Sequence, residues 1–302
     1  MKKIFITTIV LALTQFVQAQ KDSTINTLDE VVVTATKSPK KLSETGKVLT
    51  VITQQQLQQN SSHSLGEILN QQTGITVTGS TATPGTNQSV FVRGASAGNT
   101  LILIDGVPVY DASGVSSEFD INYININQVE RIEILKGAQS TLYGSDAVAG
   151  VINIIMKKNT DKPIAGFADV SAGSFGTINT AAGMSGTLKK FQYNIGGSYI
   201  HTKGISSAYD STGKGNFDKD GYTQYNLNAS AGYAISSRIN LKAFIQINQY
   251  KAAIDAGAYI DDKDYNLKNK NAIAGLTGVF NSSKDHLVFN YQYNYINRSF
   301  ID

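Results

Sequence analysis

The second half of the chain alternates. Phe191, Tyr193, Ile195, Gly197 and Tyr199 interleave with Gln192, Asn194, Gly196 and Ser198. Tyr225, Leu227, Ala229, Ala231 and Tyr233 do the same with Asn226, Asn228, Ser230 and Gly232. The pattern returns at Ile239, Leu241, Ala243, Ile245 and Ile247 against Asn240, Lys242, Gln246 and Asn248, with Phe244 out of phase. It returns again at Leu287, Phe289, Tyr291, Tyr293 and Tyr295 against Asn290, Gln292 and Asn294. A period of two over such lengths describes strands with one apolar face and one amide-rich face. Strands of soluble sandwiches average about five or six residues, so these are long for that class. A transmembrane β-barrel, with lipid outside and water inside, explains both the length and the amides. Of the 27 Phe and Tyr residues, 20 follow position 163, as aromatic girdles at two interfaces require. Seven antiparallel strands are expected, near 163–174, 176–187, 190–201, 222–234, 237–250, 269–281 and 285–298. Even an eight-stranded barrel has room only for its own side chains. The region 159–302 is therefore expected to be the first, incomplete part of an outer-membrane β-barrel.

The chain begins with an export signal. Lys2 and Lys3 precede the apolar run Ile4 to Leu13, and Val17-Gln18-Ala19 is a small-x-small cleavage site. Residues 1–19 read as a signal peptide, and the mature protein should begin at Gln20. No stretch approaches the roughly 18 apolar residues of a membrane helix, so any membrane crossing must be made by strands. The chain has no Cys, which excludes disulfides and thiolate metal sites. A net charge of +3 with no basic cluster gives no argument for nucleic acid. His63, His201 and His286 lie far apart, with neither triad nor metal-ligand spacing.

Residues 46–158 read as a compact α+β unit. Strands are expected at Val48–Ile52, Ile75–Thr78, Val90–Arg93, Leu101–Ile104, Val129–Leu135 and Val151–Met156. Thr53 should cap a helix from Gln54, and Ser64, with Glu67 three residues on, a second helix from Leu65 to about Gln71. Gly74 is placed to end that helix. No strand is followed by GxGxxG and a helix, so a dinucleotide fold is excluded. Residues 20–45 are polar apart from Asp29-Glu30-Val31-Val32-Val33-Thr34-Ala35. That β-branched run reads equally well as a first strand of the next domain or as a segment that pairs with another protein's sheet edge.

The region 46–158 resembles the plug of the TonB-dependent receptors. The residues that carry the resemblance are Val92-Arg93-Gly94, Leu101–Pro108, Val129–Gly137, Leu142–Ala147 and Gly150–Ile155, in family order. The resemblance implies an outer-membrane transporter, not an enzyme, that imports a scarce ligand on energy delivered by TonB and its inner-membrane motor. It makes Asp29–Ala35 a TonB box and disfavours the oligosaccharide importers, which usually carry an extra domain before that box. It also gives Arg93, Lys136 and Glu133 roles in plug ion pairs, although Lys136 stands where the family has an arginine. A lysine loses bidentate geometry.

Within the family the resemblance is greatest to the cobalamin receptors, over Ser140–Ile155, the loop Val107–Ser117 and the barrel loop Tyr209–Tyr222. An iron–siderophore or haem receptor would share every plug motif and is the alternative; an adhesin or enzyme is remote. Ligand contacts are expected from Thr81, Thr83, Asn87, Tyr110, Asp111, Ser113, Val115 and Ser116. Asp218, Asp220, Asp255 and Asp261 lie in two acidic loops. By residue type alone these read as solvated loop tips at least as well as a metal site. The resemblance implies that they bind Ca2+, a hard cation that takes six to eight oxygen ligands.

Overall fold

The computed structural model describes residues 31–32, 34–37, 40–61, 63–157, 160–213, 217–282 and 285–302. The signal peptide, Asp29, Glu30 and Val33 lie outside the described residues. A short antiparallel bridge joins β1 (Val31–Val32) to β2 (Lys40–Lys41). The unit that follows is built on a sheet of five strands. They are β3 (Leu49–Ile52), β6 (Thr100–Ile104), β7 (Val107–Pro108), β8 (Val129–Lys136) and β9 (Gly150–Met156). Their order across the sheet is β3-β8-β9-β6-β7. The β6–β9 pair is parallel and the others are antiparallel. A separate hairpin pairs β4 (Ile75–Thr78) with β5 (Ser89–Val92).

Continuous apolar runs in β6 and β9 mark a sheet covered on both faces. Ile102, Ile104, Ile132, Ile134, Ile152 and Ile154 enter the main core, while Leu101, Leu103, Leu135 and Val151 pack on the other side. Each such side chain contributes about 1.5–3 kcal/mol when buried. The helices Gln54–Gln59 and Leu65–Asn70 start at Thr53 and Ser64, each closed by a reciprocal capping box with Gln56 and Glu67. Gly74 takes a φ of +73°, a left-handed position that costs glycine nothing. β5 ends at Val92 rather than Arg93, because Arg93 and Gly94 both have positive φ and form a turn.

The remaining seven strands form one antiparallel sheet in chain order. They are β10 (Ala165–Gly173), β11 (Thr177–Leu188), β12 (Phe191–Thr202), β13 (Tyr222–Ala234), β14 (Ile239–Ala253), β15 (Asn266–Asn281) and β16 (His286–Ile301). The last two are longer than the sequence pattern suggests. Their alternation fades in Asn266–Asn271 and after Tyr295, where the backbone ladder continues through mostly polar residues. Phe191, Leu227, Leu241, Phe289 and Tyr291 all face outward and exposed, and the amides face the plug. The turns 189–190 and 235–238 at one end of the sheet are short; at the other end the turn 174–176 is short, and the connections from β12 to β13 and from β14 to β15 are long. Short periplasmic turns and longer outer loops are the rule for such barrels. Among the described residues no helix is long and apolar enough to cross a membrane.

Candidate functional site

At the short-turn end, Thr34 is held on the plug sheet by its backbone and its side chain. Its N–H and Oγ1 both donate to Oε2 of Glu133, at 2.8 and 2.6 Å. Asn153 Nδ2 donates to Thr34 Oγ1 at 3.0 Å, and Tyr143 OH donates to the Thr34 carbonyl at 2.8 Å. Val32 and Ala35 are buried beside it. Glu133 in β8 is fully buried and pairs with Arg131 on the same strand, at 2.8 Å. The location follows from a chain of contacts. Asn153 accepts from the Gly106 N–H, and neighbouring Asp105 pairs with Lys242 at 3.1 Å, near the short-turn end of β14.

At the opposite end, two plug loops face the long outer loops. Gly85 packs so closely that a Cβ there would lie 2.5 Å from Ala252 Cβ, which seats the loop 79–88 on the barrel wall. Thr81 and Thr83 line a cavity of about 490 Å³ between this loop and the strands β10–β13, with Gln88, Asn122, Asn179 and Gln224. In the loop 110–117, Tyr110, Ser113, Val115 and Ser116 are exposed, as is Asn87 in the first loop. Asp111 differs: it is buried, accepts from the Ser113 N–H and hydroxyl, and so shapes the loop from inside. The outward residues of both loops are hydroxyls, amides and apolar groups.

Between these loops and the wall lies Asp120, 1% exposed among Phe119, Tyr123, Tyr222 and Tyr250. Burial pushes its carboxyl up to about 6, against the N–H of Asn122, the Arg298 charge, the Gln88 N–H and the Tyr250 hydroxyl, which pull it down. Cross-strand register sets Ile200, Gln224, Tyr250, Asn269 and Arg298 at one level on five successive strands, all turned inward. Gln224 donates to the Asn122 carbonyl at 2.7 Å and Tyr250 to Asp120 Oδ2 at 3.1 Å. Below this level, Asn248 and Asn226 continue an amide ladder to Ser198 and Asn125.

In the outer loops, carboxylate oxygens of Asp218, Asp255 and Asp261 lie within 4.8 Å of one another. Asp220 is buried beside them, and its carboxylate accepts from the Ser207 N–H. Asp218 is pushed up by burial and by its neighbours Asp261, Asp220 and Asp255, and Asp220 is pushed up mainly by burial. For Asp255 burial also acts upward, but the Asp262 N–H, the Ser207 hydroxyl and the Ala208 N–H outweigh it and leave the group low. Oδ1 of Asp218 and Oδ1 of Asp220 are buried without a hydrogen-bond partner. Crowded carboxylates with spare oxygens are a donor set that fits a hard divalent cation.

The third expected group separates. Arg93 and Lys136 lie side by side, and Lys136 donates to the Thr73 carbonyl at 2.7 Å. Burial lowers the Lys136 ammonium and the Arg93 charge adds to this. Glu133 lies with Arg131 and Thr34 instead.

Residues 41–151 match the model of the TonB-dependent receptor plug domain. These residues form a TonB-dependent receptor plug. The chain is 32% identical over 240 residues to the vitamin B12 transporter BtuB of Vibrio vulnificus, covering 77% of this chain and 37% of that one. It is 38% identical over 134 residues to BtuB of Vibrio cholerae, which covers 44% of this chain and 21% of that one. The siderophore receptor PirA of Acinetobacter baumannii superposes with a TM-score of 0.65 at 21% identity, over 83% of this chain and 40% of that one. That likeness shows the fold: a plug followed by strands that match part of an outer-membrane receptor barrel. The chain spans well under half the length of these relatives.

Two residues of the outer end escaped the sequence reading. Asp120 gave no signal, because a lone carboxylate between Phe119 and Ile121 carries no motif. Arg298 did carry one. It falls on the inward, amide-bearing phase of β16 with Gln292 and Asn294, so its charge points at whatever fills the barrel.

Proposed function

We propose that the protein imports a scarce ligand across the outer membrane on energy delivered through TonB, that the ligand is cobalamin, and that Ca2+ orders the outer loops. The observation that carries the transport reading is the position of Val32 and Thr34–Thr36, at the periplasmic end of the plug and held there mainly through Thr34. Ligand capture at Thr81, Thr83, Asn87, Tyr110, Ser113, Val115 and Ser116 would loosen this attachment. TonB would then take Val31–Thr34 as an added strand and pull on the plug. Arg93 and Lys136 present paired cations to whatever carboxylates the rest of a barrel supplies. No catalytic step belongs to this reading.

Cobalamin is supported by the kinship to BtuB and by the chemistry of the capturing loops. Their outward groups are neutral, which suits an amide-rich corrinoid better than an anionic iron chelate. Asp218, Asp255 and Asp261, with Asp220 behind them, would hold the Ca2+. The ion would relieve their mutual repulsion and tie the loop 203–221 to the loop 254–265. The test is cyanocobalamin binding to outer membranes carrying the protein, first with calcium and then with chelator. Tight binding that collapses on chelation supports both ligand and ion. Binding indifferent to chelator removes the calcium site, and no binding in either condition moves the ligand to an iron chelate.

A further inference from the structure

Both ligand-facing loops of the plug converge on one side chain of the barrel wall. Arg298, near the outer end of β16, places Nη2 at 3.3 Å from Asn87 Oδ1 in the first loop and 3.4 Å from Asp111 Oδ2 in the second. The same nitrogen lies 3.4 Å from the Tyr123 hydroxyl and 3.8 Å from Asp120 Oδ2. Four acceptors around one nitrogen exceed its two hydrogens, so the hub acts largely as a centred charge. Asp111 and Asp120 are buried, at 3% and 1% exposure, and depend on that charge because neither has another cation within ion-pair distance among the described residues.

The loops have other anchors, but weaker ones. Asn294 donates to the Tyr110 carbonyl and Gln292 to the Pro108 carbonyl. Both are neutral amide contacts at the base of the second loop. For the first loop, Asn122 Nδ2 donates to the Thr86 carbonyl at 2.8 Å and Gly85 packs on Ala252, both neutral contacts, while the Gln88 N–H reaches Asp120, the Arg298 partner, at 3.4 Å. Charge-assisted bonds are roughly twice as strong as neutral ones.

We propose that Arg298 is a positioning residue for ligand capture: from the barrel wall it fixes the loops 79–88 and 110–117 in one mutual arrangement. It need not touch the ligand. The consequence for affinity rests on the transport reading above, whereas the consequence for loop order does not. Without the guanidinium, Asp111 and Asp120 face each other and the tyrosine rings as uncompensated buried carboxylates. The two loops then lose their common reference. If the competent arrangement falls to about a tenth of the population, apparent affinity falls about tenfold.

The chain has no cysteine, so single cysteines at Ala82 and Ala112, both exposed, can carry spin labels in outer membranes. In Arg298→Gln both labels should become more mobile, and cyanocobalamin binding should weaken about tenfold. Arg298→Lys, which keeps a charge, should restore part of the order. Asp111→Asn cuts one tie from the plug side, so it should loosen the label at Ala112 and leave that at Ala82 unchanged. It also serves if Arg298→Gln fails to assemble. Unchanged spectra at both positions in Arg298→Gln, or equal loosening at both in Asp111→Asn, would overturn the proposal. If the unmutated protein binds no cyanocobalamin, the ligand reading fails while the spectra still decide the role of Arg298.

Discussion

Two buried carboxylates hold the two ends of the plug, and they obtain their countercharge from different places. Glu133, at the periplasmic end, takes Arg131 from its own strand and holds Thr34, so the whole attachment lies within the plug. Asp120, at the outer end, takes Arg298 from β16 and so depends on the barrel wall. The first arrangement lets the N-terminal segment leave without disturbing any strand of the barrel. Glu133 loses two hydrogen bonds but keeps its cation. The second arrangement couples plug and wall, because neither can shift without separating buried opposite charges. Removing the cation from such a pair costs about 3–5 kcal/mol, because it leaves the carboxylates buried without a countercharge. The lower end is built to release, and the outer end to hold.

Backbone chemistry gives the largest expected effect. Val32→Pro removes an N–H donor and fixes φ in the segment proposed to pair with TonB. It should abolish uptake while leaving cyanocobalamin binding at the unmutated level, since the capturing loops lie at the other end. Uptake at the normal rate would break the assignment of Val31–Thr34 as the TonB contact. Truncation to Val32→Ala should matter much less, because strand addition works through the main chain.

A smaller change sharpens the contrast between the two ends. Thr34→Val deletes the hydroxyl that bonds Glu133 and Asn153 but keeps the backbone bond. A hydrogen bond to a charged group is worth about 1.5–3 kcal/mol. The segment should therefore be released more often in the absence of ligand, and a spin label at Lys40 should report greater mobility. A label at Ala112 should report none. Mobility rising at both sites would mean that the two ends are not independent, and the division of roles between Glu133 and Asp120 would fall.

Legibility followed the same division between local and long-range chemistry. The seven strands and the capped helices at Thr53 and Ser64 rest on periodicity and neighbours within a few residues, and the sequence carried them. The acidic loops were legible as composition, although it took folding to set Asp218 beside Asp255 and Asp261. The contacts of Thr34 with Glu133 and of Asp120 with Arg298 were not legible. They join residues 99 apart in the first case and different domains in the second. A carboxylate's partner depends on how strands order in the sheet, which no local pattern encodes. Asp111 shows the limit well: among exposed loop residues it reads as a ligand contact, yet the fold turns it inward onto Arg298.

The subtlest prediction concerns Asp120 and acid. Its carboxyl rises from 3.8 in the unfolded chain to about 6 in the fold, so folding favours the protonated form. That contribution is complete below the unfolded value and is lost as pH rises through about 6. At neutral pH the protein therefore carries the ionised group at a cost of about 3 kcal/mol, because each pH unit between the two values is worth roughly 1.4 kcal/mol. Asp120→Asn removes the ionisation but offers a single oxygen to Tyr250, Gln88 and Asn122, so the net gain should be near 1 kcal/mol, or roughly 2–4 °C in Tm. The gain should appear near pH 7.5 and vanish near pH 5. Asp218 and Asp220 are also raised and would titrate in the same direction. The comparison is therefore made in saturating calcium, as the difference between the two proteins at each pH. Parallel pH profiles for both would mean that the Arg298 charge and the surrounding donors already hold Asp120 ionised without penalty. The outer attachment would then hold as an ion pair at neutral pH with no desolvation cost set against it.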